Sequence, residues 1–141
     1  MNKLVVELCC NIDDMTAEAI GYAMDTLLEA GAVDVYTQPI YMKKNRPATM
    51  LTVMCNEQDE EKMAELIFKH TTTIGVRKKL YERYVLDRRT EEVNTPYGTV
   101  RKKISEGYGV KKEKYEYDDI AKIARENDLT FAQVLDIIKE K

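Results

Sequence analysis

The order in which apolar spacing switches between a period of two and a period near 3.6 most constrains what this chain can fold into. Leu4 to Cys10 is rich in Val and Leu and reads as a strand. Thr16 to Ala30 sets Ala19, Ile20, Ala23, Leu27 and Ala30 at helical spacing, and Gly31 is a natural stop. Val33 to Met42 is a second strand, where Pro39 favours a sheet edge or a bulge. Lys43 to Arg46 forms a polar turn, and Pro47 to Cys55 returns as a third strand. Asp59 to Thr71 places Met63, Leu66, Ile67 and His70 on one side of a helix, and Val76 to Leu86 alternates as a fourth strand. The β-α-β-β-α-β order predicts an α+β, ferredoxin-like sandwich, an antiparallel sheet with two helices on one face.

The rest of the chain reads as an appendage. Thr95-Pro96-Tyr97-Gly98 is a turn signal between Leu86–Val93 and Val100–Ile104, which predicts a β-hairpin. Lys111 to Asp119 is dense in charge and is expected to be irregular. Asp119 to Asn127 and Phe131 to Lys139 then read as short helices, with Thr130 the expected N-cap of the second. Residues 1–90 would form the core, and 91–141 a hairpin and helical extension of the same single domain.

Composition removes several functional classes. No apolar run approaches the ~20 residues needed to span a bilayer. Met1-Asn2-Lys3 passes directly into strand-like sequence, so a cytoplasmic location without a signal peptide is the expectation. Three cysteines, two of them adjacent (Cys9, Cys10 and Cys55), do not make a disulfide framework, and a single histidine, His70, rules out the usual Cys/His zinc sites. Nor can His70, set in a helix pattern, serve a Ser/His/Asp triad. A net charge of −3 gives no general attraction to nucleic acid, yet cations cluster locally at Lys43-Lys44-Asn45-Arg46, Arg77-Lys78-Lys79, Arg88-Arg89 and Arg101-Lys102-Lys103. Such clusters suit a small anion better than a polymer.

Where the first strand hands over to the first helix stands Asn11-Ile12-Asp13-Asp14-Met15-Thr16. Adjacent carboxylates repel unless a cation sits beside them, and at a strand end they can ligate Mg²⁺ or Mn²⁺. Capping of the helix by one aspartate is the commoner use of such residues and is favoured on local grounds. Lys43, Lys44 and Arg46 at the bend between strands two and three can bind phosphate, or can simply be the solvated tip of a hairpin. Thr71-Thr72-Thr73-Ile74-Gly75-Val76-Arg77 can wrap an anion in hydroxyl and N–H donors, but closure of the second helix by Gly75 is the stronger local reading. Tyr97 can present a ring to a base or pyridine, or merely occupy a turn. Lys114-Tyr115-Glu116-Tyr117-Asp118-Asp119 is either a helix start capped by Asp118 or Asp119 or a second half-site for a cation. Carboxylates beside cations fit metal-assisted phosphoryl or nucleotidyl chemistry better than acyl transfer.

Five segments in register, Asn11 to Glu18, Gly31 to Val35, Pro39 to Pro47, Thr73 to Arg77 and Thr95 to Arg101, resemble the C-terminal domain of the LarC nickel-insertion family. The likeness runs from about Leu4 to about Val134. It implies nickel insertion into pyridinium-3,5-bisthiocarboxylic acid mononucleotide, a lyase-class step toward the nickel-pincer cofactor of lactate racemase. It further implies use of CTP with Mg²⁺ or Mn²⁺, Ni²⁺ as the inserted metal, and a homo-oligomer (trimer or hexamer). By the same resemblance Asp13 and Asp14 belong to the metal–nucleotide site. Lys43, Lys44, Arg46, Thr73, Arg77 and Tyr97 become nucleotide contacts. Neither nucleic acid nor membrane is an expected partner.

Two departures stand out. Cys9 and Cys10 replace the family's usual Glu-Thr, which either buries the strand end or offers one soft ligand. Lys114-Tyr115-Glu116-Tyr117 lacks the family's proline and the rigidity it confers. Full-length members also carry an N-terminal domain, expected here as a separate subunit or as part of a longer chain. The competing function is a non-catalytic oligomerisation module with a regulatory nucleotide pocket.

Overall fold

A computed structural model describes the backbone of residues 2–139 and the side chains of residues 4–139. Met1, included in the expected abrupt entry into the first strand, lies outside the described residues, as do Glu140 and Lys141. The chain divides into two compact units, Asn2–Arg83 and a second that begins at Tyr84.

The first unit runs β1 (Asn2–Ile12), α1 (Ala17–Glu29), β2 (Asp34–Met42), β3 (Arg46–Cys55), α2 (Glu60–His70) and β4 (Arg77–Tyr84). Its sheet has the order β2-β3-β1-β4, the ferredoxin-like arrangement that the element order predicts. β2 is an edge strand, which is where Pro39 costs no central ladder bond. β1 and β3 pair antiparallel with Val6 opposite Cys55 and Ile12 opposite Thr49. That register sends Val6, Leu8, Cys10 and Ile12 to one face with Leu51, Val53 and Cys55, where Leu27 of α1 and Met63 and Ile67 of α2 close the core. Because side chains alternate along a strand, a slip of one residue would turn this whole set to solvent. Cys9 falls on the opposite face of β1, buried, with its Sγ 3.2 Å from Thr52 Oγ1.

Both ends of α1 are specified by short-range chemistry. Thr16 Oγ1 accepts from the Ala19 amide at 3.1 Å. At the other end the Ala32 amide donates to Leu27 and the Gly31 amide to Leu28, a Schellman closure. Gly31 makes it possible by adopting φ +106°. Capping of α1 by Asp13 or Asp14 is therefore corrected: Thr16 is the cap, and both carboxylates precede it. Gly75 likewise does not close α2. Thr71 occupies that position, its amide and hydroxyl both donating to the Ile67 carbonyl. His70 has a structural setting at the end of α2, its ring 5.9 Å from that of Tyr22.

The second unit contains β5 (Asp87–Thr95), β6 (Gly98–Gly107), β7 (Val110–Tyr115), α3 (Tyr117–Glu126) and α4 (Phe131–Lys139). Its strands form a three-stranded sheet in the order β5-β6-β7. The expected hairpin is thus present as β5 and β6, but the segment from Lys111 expected to be irregular is largely the third strand. Two features make it so. Tyr108 and Gly109 take φ +49° and +78°, the pair of positive values of a type I′ turn, whose twist matches that of the strands it joins. Opposed charges then meet across β6 and β7, Lys102 Nζ lying 2.9 Å from Glu113.

Val100 of β6 packs with Ile120 and Ile123 of α3 and Val134 and Ile138 of α4. α4 begins with a capping box: the Gln133 amide donates to Thr130 Oγ1 at 3.1 Å and the Thr130 amide to Gln133 Oε1 at 2.8 Å. α3 takes no side-chain cap from Asp118 or Asp119. Asp119 instead grips Arg101, accepting from its backbone amide at 2.7 Å and from Nε and Nη2 at 3.0 and 2.9 Å. Those bonds hold the Asp119 carboxyl below the usual carboxylate range.

Candidate functional site

Three segments of the first unit converge where β1 ends. Asn11 is the penultimate residue of the strand, and its Oδ1 accepts from Arg77 Nη2 at 3.2 Å. Arg77 opens β4, and the same nitrogen lies 3.7 Å from Met50 Sδ, the cross-strand partner position of Asn11. Asp13 Oδ2 is 3.5 Å from Nη1 of Arg46, the first residue of β3. Asp14 Oδ1 accepts a hydrogen bond from Thr72 Oγ1 in the loop after α2. The β1–α1 turn, the β2–β3 hairpin and the α2–β4 loop are therefore tied to one another through polar side chains.

Asp13 and Asp14 are not equivalent. Asp13 has a cation within ion-pair distance and its side chain is 26% exposed. Among the described residues Asp14 has only the neutral Thr72 hydroxyl as its partner and no ion pair, so its charge is unmatched there. A hard cation is drawn to the unmatched carboxylate first. Among the described residues no group of three or more His, Cys, Asp or Glu side chains could hold a metal ion by itself. Two carboxylates do suit Mg²⁺ or Mn²⁺ that arrives with a nucleotide, because such ions commonly take one or two protein oxygens and complete their shell with phosphate and water.

Lys43 and Lys44 sit at the tip of the β2–β3 hairpin, exposed and without an ion-pair partner among the described residues. Lys44 and Asn45 have φ of +64° and +57°. Asn tolerates that conformation, whereas for Lys it costs roughly 1–2 kcal/mol. Thr73 turns its hydroxyl inward: Oγ1 donates to the Gly75 carbonyl at 2.8 Å. It also contacts the Cys10 thiol, which burial pushes up from its ordinary range while Thr73 and the Arg77 charge pull it partly back. All three cysteines are free and buried, so Cys9 and Cys10 bury the strand end and do not present a soft ligand at the surface.

Of the residues expected to form one site, Asp13, Asp14, Lys43, Lys44, Arg46, Thr73 and Arg77 all belong to the first unit. Tyr97 belongs to the second, in the turn between β5 and β6, where its amide donates to Thr95 Oγ1 at 3.1 Å. Asn11 and Thr72 join the site through bonds that span 66 and 58 residues of chain. Their only signal in the sequence was membership of the same short motifs.

The class defined so far is an α+β protein with a ferredoxin-like unit whose first strand ends in paired carboxylates beside a basic hairpin, and comparison with known proteins narrows it. The chain matches the model for the nickel insertion protein family over residues 1–135, and it belongs to that family. It is 43% identical over 141 residues to the pyridinium-3,5-bisthiocarboxylic acid mononucleotide nickel insertion protein of Acetivibrio thermocellus, covering 98% of this chain and 35% of the relative. The protein of the same description from Alkaliphilus metalliredigens is 47% identical over 133 residues, covering 92% of this chain and 31% of the relative. The chain thus spans about a third of the length of these curated relatives. Among solved structures it resembles LarC2, the C-terminal domain of a cyclometallase involved in synthesis of the NPN cofactor of lactate racemase, in its apo form. That likeness has a TM-score of 0.89 at 39% identity and covers all of both chains. A protein of Methanopyrus kandleri is similar at a TM-score of 0.74 and 26% identity, covering 94% of this chain and 85% of that one.

Proposed function

We propose that this chain supplies the CTP and divalent-cation half of a nickel insertion reaction on pyridinium-3,5-bisthiocarboxylic acid mononucleotide. The observation that carries the reading is the convergence of Asp13 and Asp14 with Arg46, Thr72 and Arg77 at the end of β1. Asp14, whose charge is unmatched, and Asp13 would hold Mg²⁺ or Mn²⁺. When bound there, the cation supplies charge neutralisation for a triphosphate. Lys43, Lys44 and Arg46 would contact the phosphates, lysine as a point charge and arginine as a fork. Arg77, anchored on Asn11, would hold its guanidinium at the rim of the same site. Tyr97, in the second unit, is not part of this site as proposed.

Nickel is the cargo of this reaction. Its soft sulfur ligands belong to the substrate, which separates it chemically from a hard-cation site built of carboxylates. The relatives are about three times as long as this chain, so the complete reaction is proposed to need the additional domain they carry. A homo-oligomer in the cytoplasm is part of the same proposal. Among the described residues no helix is long and apolar enough to cross a membrane.

Calorimetric titration with CTP, ATP and GTP, each with and without Mn²⁺, tests the reading. CTP should bind saturably only with the cation and more tightly than the purine nucleotides. Absence of CTP binding with Mn²⁺ present would sink it. The hairpin tip offers a second check. Lys44→Gly should raise stability to urea by about 0.5 kcal/mol, as relief of the left-handed lysine exceeds the added chain entropy. It should also weaken Mn²⁺-CTP binding about threefold to tenfold through loss of a cation near phosphate.

A further inference from the structure

The second unit contains a cavity of about 590 Å³ that shares no residue with the site described above. Its size lies within the range of small-molecule sites, roughly 300–1,000 Å³. Tyr117, the first residue of α3, and Phe131, the first of α4, stack on one side with ring centroids 5.5 Å apart and planes at 24°. Both rings are exposed, Tyr117 by 60% and Phe131 by 39%, so the stack offers an open aromatic wall.

The remaining polar lining is cationic on balance. Glu113 is matched twice over, by Lys102 at 2.9 Å and Lys111 at 3.4 Å. Lys102 in turn lies 5.7 Å from the centre of the Tyr115 ring. Lys114 and Lys139 have no ion-pair partner among the described residues and leave two unmatched ammonium groups at the cavity. An aromatic wall beside two free cations recognises a planar ring that carries more than one anionic group. A positively charged ring gains further from the electron-rich faces of Tyr and Phe.

We propose that this cavity is the substrate site for a pyridinium mononucleotide, the ring lying on Tyr117 and Phe131 and its phosphate and acid substituents meeting Lys114 and Lys139. The choice of a pyridinium ring rests on the function proposed above. The recognition of a planar aromatic anion rests on the cavity alone. Two sites in separate units let one chain hold a triphosphate with its cation and the mononucleotide together.

The test uses nicotinic acid mononucleotide, which carries a pyridinium ring, one carboxylate and one phosphate, in calorimetric titrations of the chain. It should bind saturably, and ribose 5-phosphate, which lacks the ring, should bind at least about tenfold more weakly. Lys114→Gln with Lys139→Gln should weaken the mononucleotide about tenfold or more while leaving Mn²⁺-CTP affinity unchanged. Tyr117→Leu, which keeps an apolar side chain but removes the ring, should also weaken it. Saturating Mn²⁺-CTP should leave mononucleotide binding in place. No saturable binding, equal affinity in the double lysine variant, or displacement by Mn²⁺-CTP would each overturn the assignment. Because Mn²⁺-CTP is titrated separately, loss of this site and loss of the CTP reading give different results.

Discussion

Asp14→Asn is expected to weaken Mn²⁺-dependent CTP binding roughly 100-fold, a change of about 2.7 kcal/mol, while Asp13→Asn weakens it only about tenfold. The asymmetry follows from partners. Asp13 already faces the Arg46 guanidinium at 3.5 Å, so part of its charge is committed within the protein. Asp14 is steadied by the Thr72 hydroxyl, a neutral donor that leaves a full negative charge to ligate a cation. Both substitutions retain size and hydrogen-bonding capacity, and neither carboxylate caps α1, so the fold should be little affected. Calorimetry at several Mn²⁺ concentrations checks the effect, since raising Mn²⁺ should partly restore affinity in the Asp14 variant. Equal losses in the two variants would remove the distinction drawn between them. Full Mn²⁺-CTP affinity in both would remove the metal assignment and leave the fold untouched.

Leu27→Ala is expected to lower the free energy of unfolding by about 3 kcal/mol, within the ~2–5 kcal/mol typical of buried leucine truncations. Leu27 is wholly buried against the core face of the sheet, alongside Val6, Leu51, Met63 and Ile67. The loss combines the transfer energy of the missing carbons with the contacts their neighbours forfeit around the space left behind. Leu28, one position further along the same helix, is 46% exposed. Leu28→Ala should therefore change stability by less than about 0.5 kcal/mol. Urea unfolding of the pair gives the comparison, and similar losses at both positions would contradict the packing described for α1. A loss of about 3 kcal/mol is severe when whole domains are stable by only about 5–15 kcal/mol.

Most of the architecture could be read from spacing. The βαββαβ order, the Gly31 stop, the edge position implied by Pro39 and the Thr130 cap all rest on interactions within a few residues or on strict periodicity, and these are visible in a linear string. The misreadings share one cause. Asp13 and Asp14 are good caps in isolation, but Thr16 is correctly spaced to reach the Ala19 amide and takes that place. Asp119 could have capped α3, yet Arg101 of a neighbouring strand offers it three donors. The charge density from Lys111 onward suggests irregular chain when read alone. It becomes a strand because Glu106 and Lys102 wait on β6 to match Lys111 and Glu113.

Asp13-Asp14, the cationic run at Lys43-Lys44-Asn45-Arg46 and the threonine loop before Arg77 are all present in the sequence, and the resemblance they carry led to the family. The βαββαβ element order, most of the core-facing residues of β1, β3 and α1, and family membership were determined at that level because each depends on local order along the chain. The tertiary structure decided which carboxylate is matched and which is left open. The contacts concerned link Asp13 to Arg46 and Asp14 to Thr72, the latter 58 residues apart, and no local rule ranks such partners. It also decided that Tyr97 belongs to a different unit from the carboxylates, and that the aromatic pair Tyr117 and Phe131 meets beside two unmatched lysines. Charge matching acts over a few ångströms, and only folding brings residues so distant in sequence within that range.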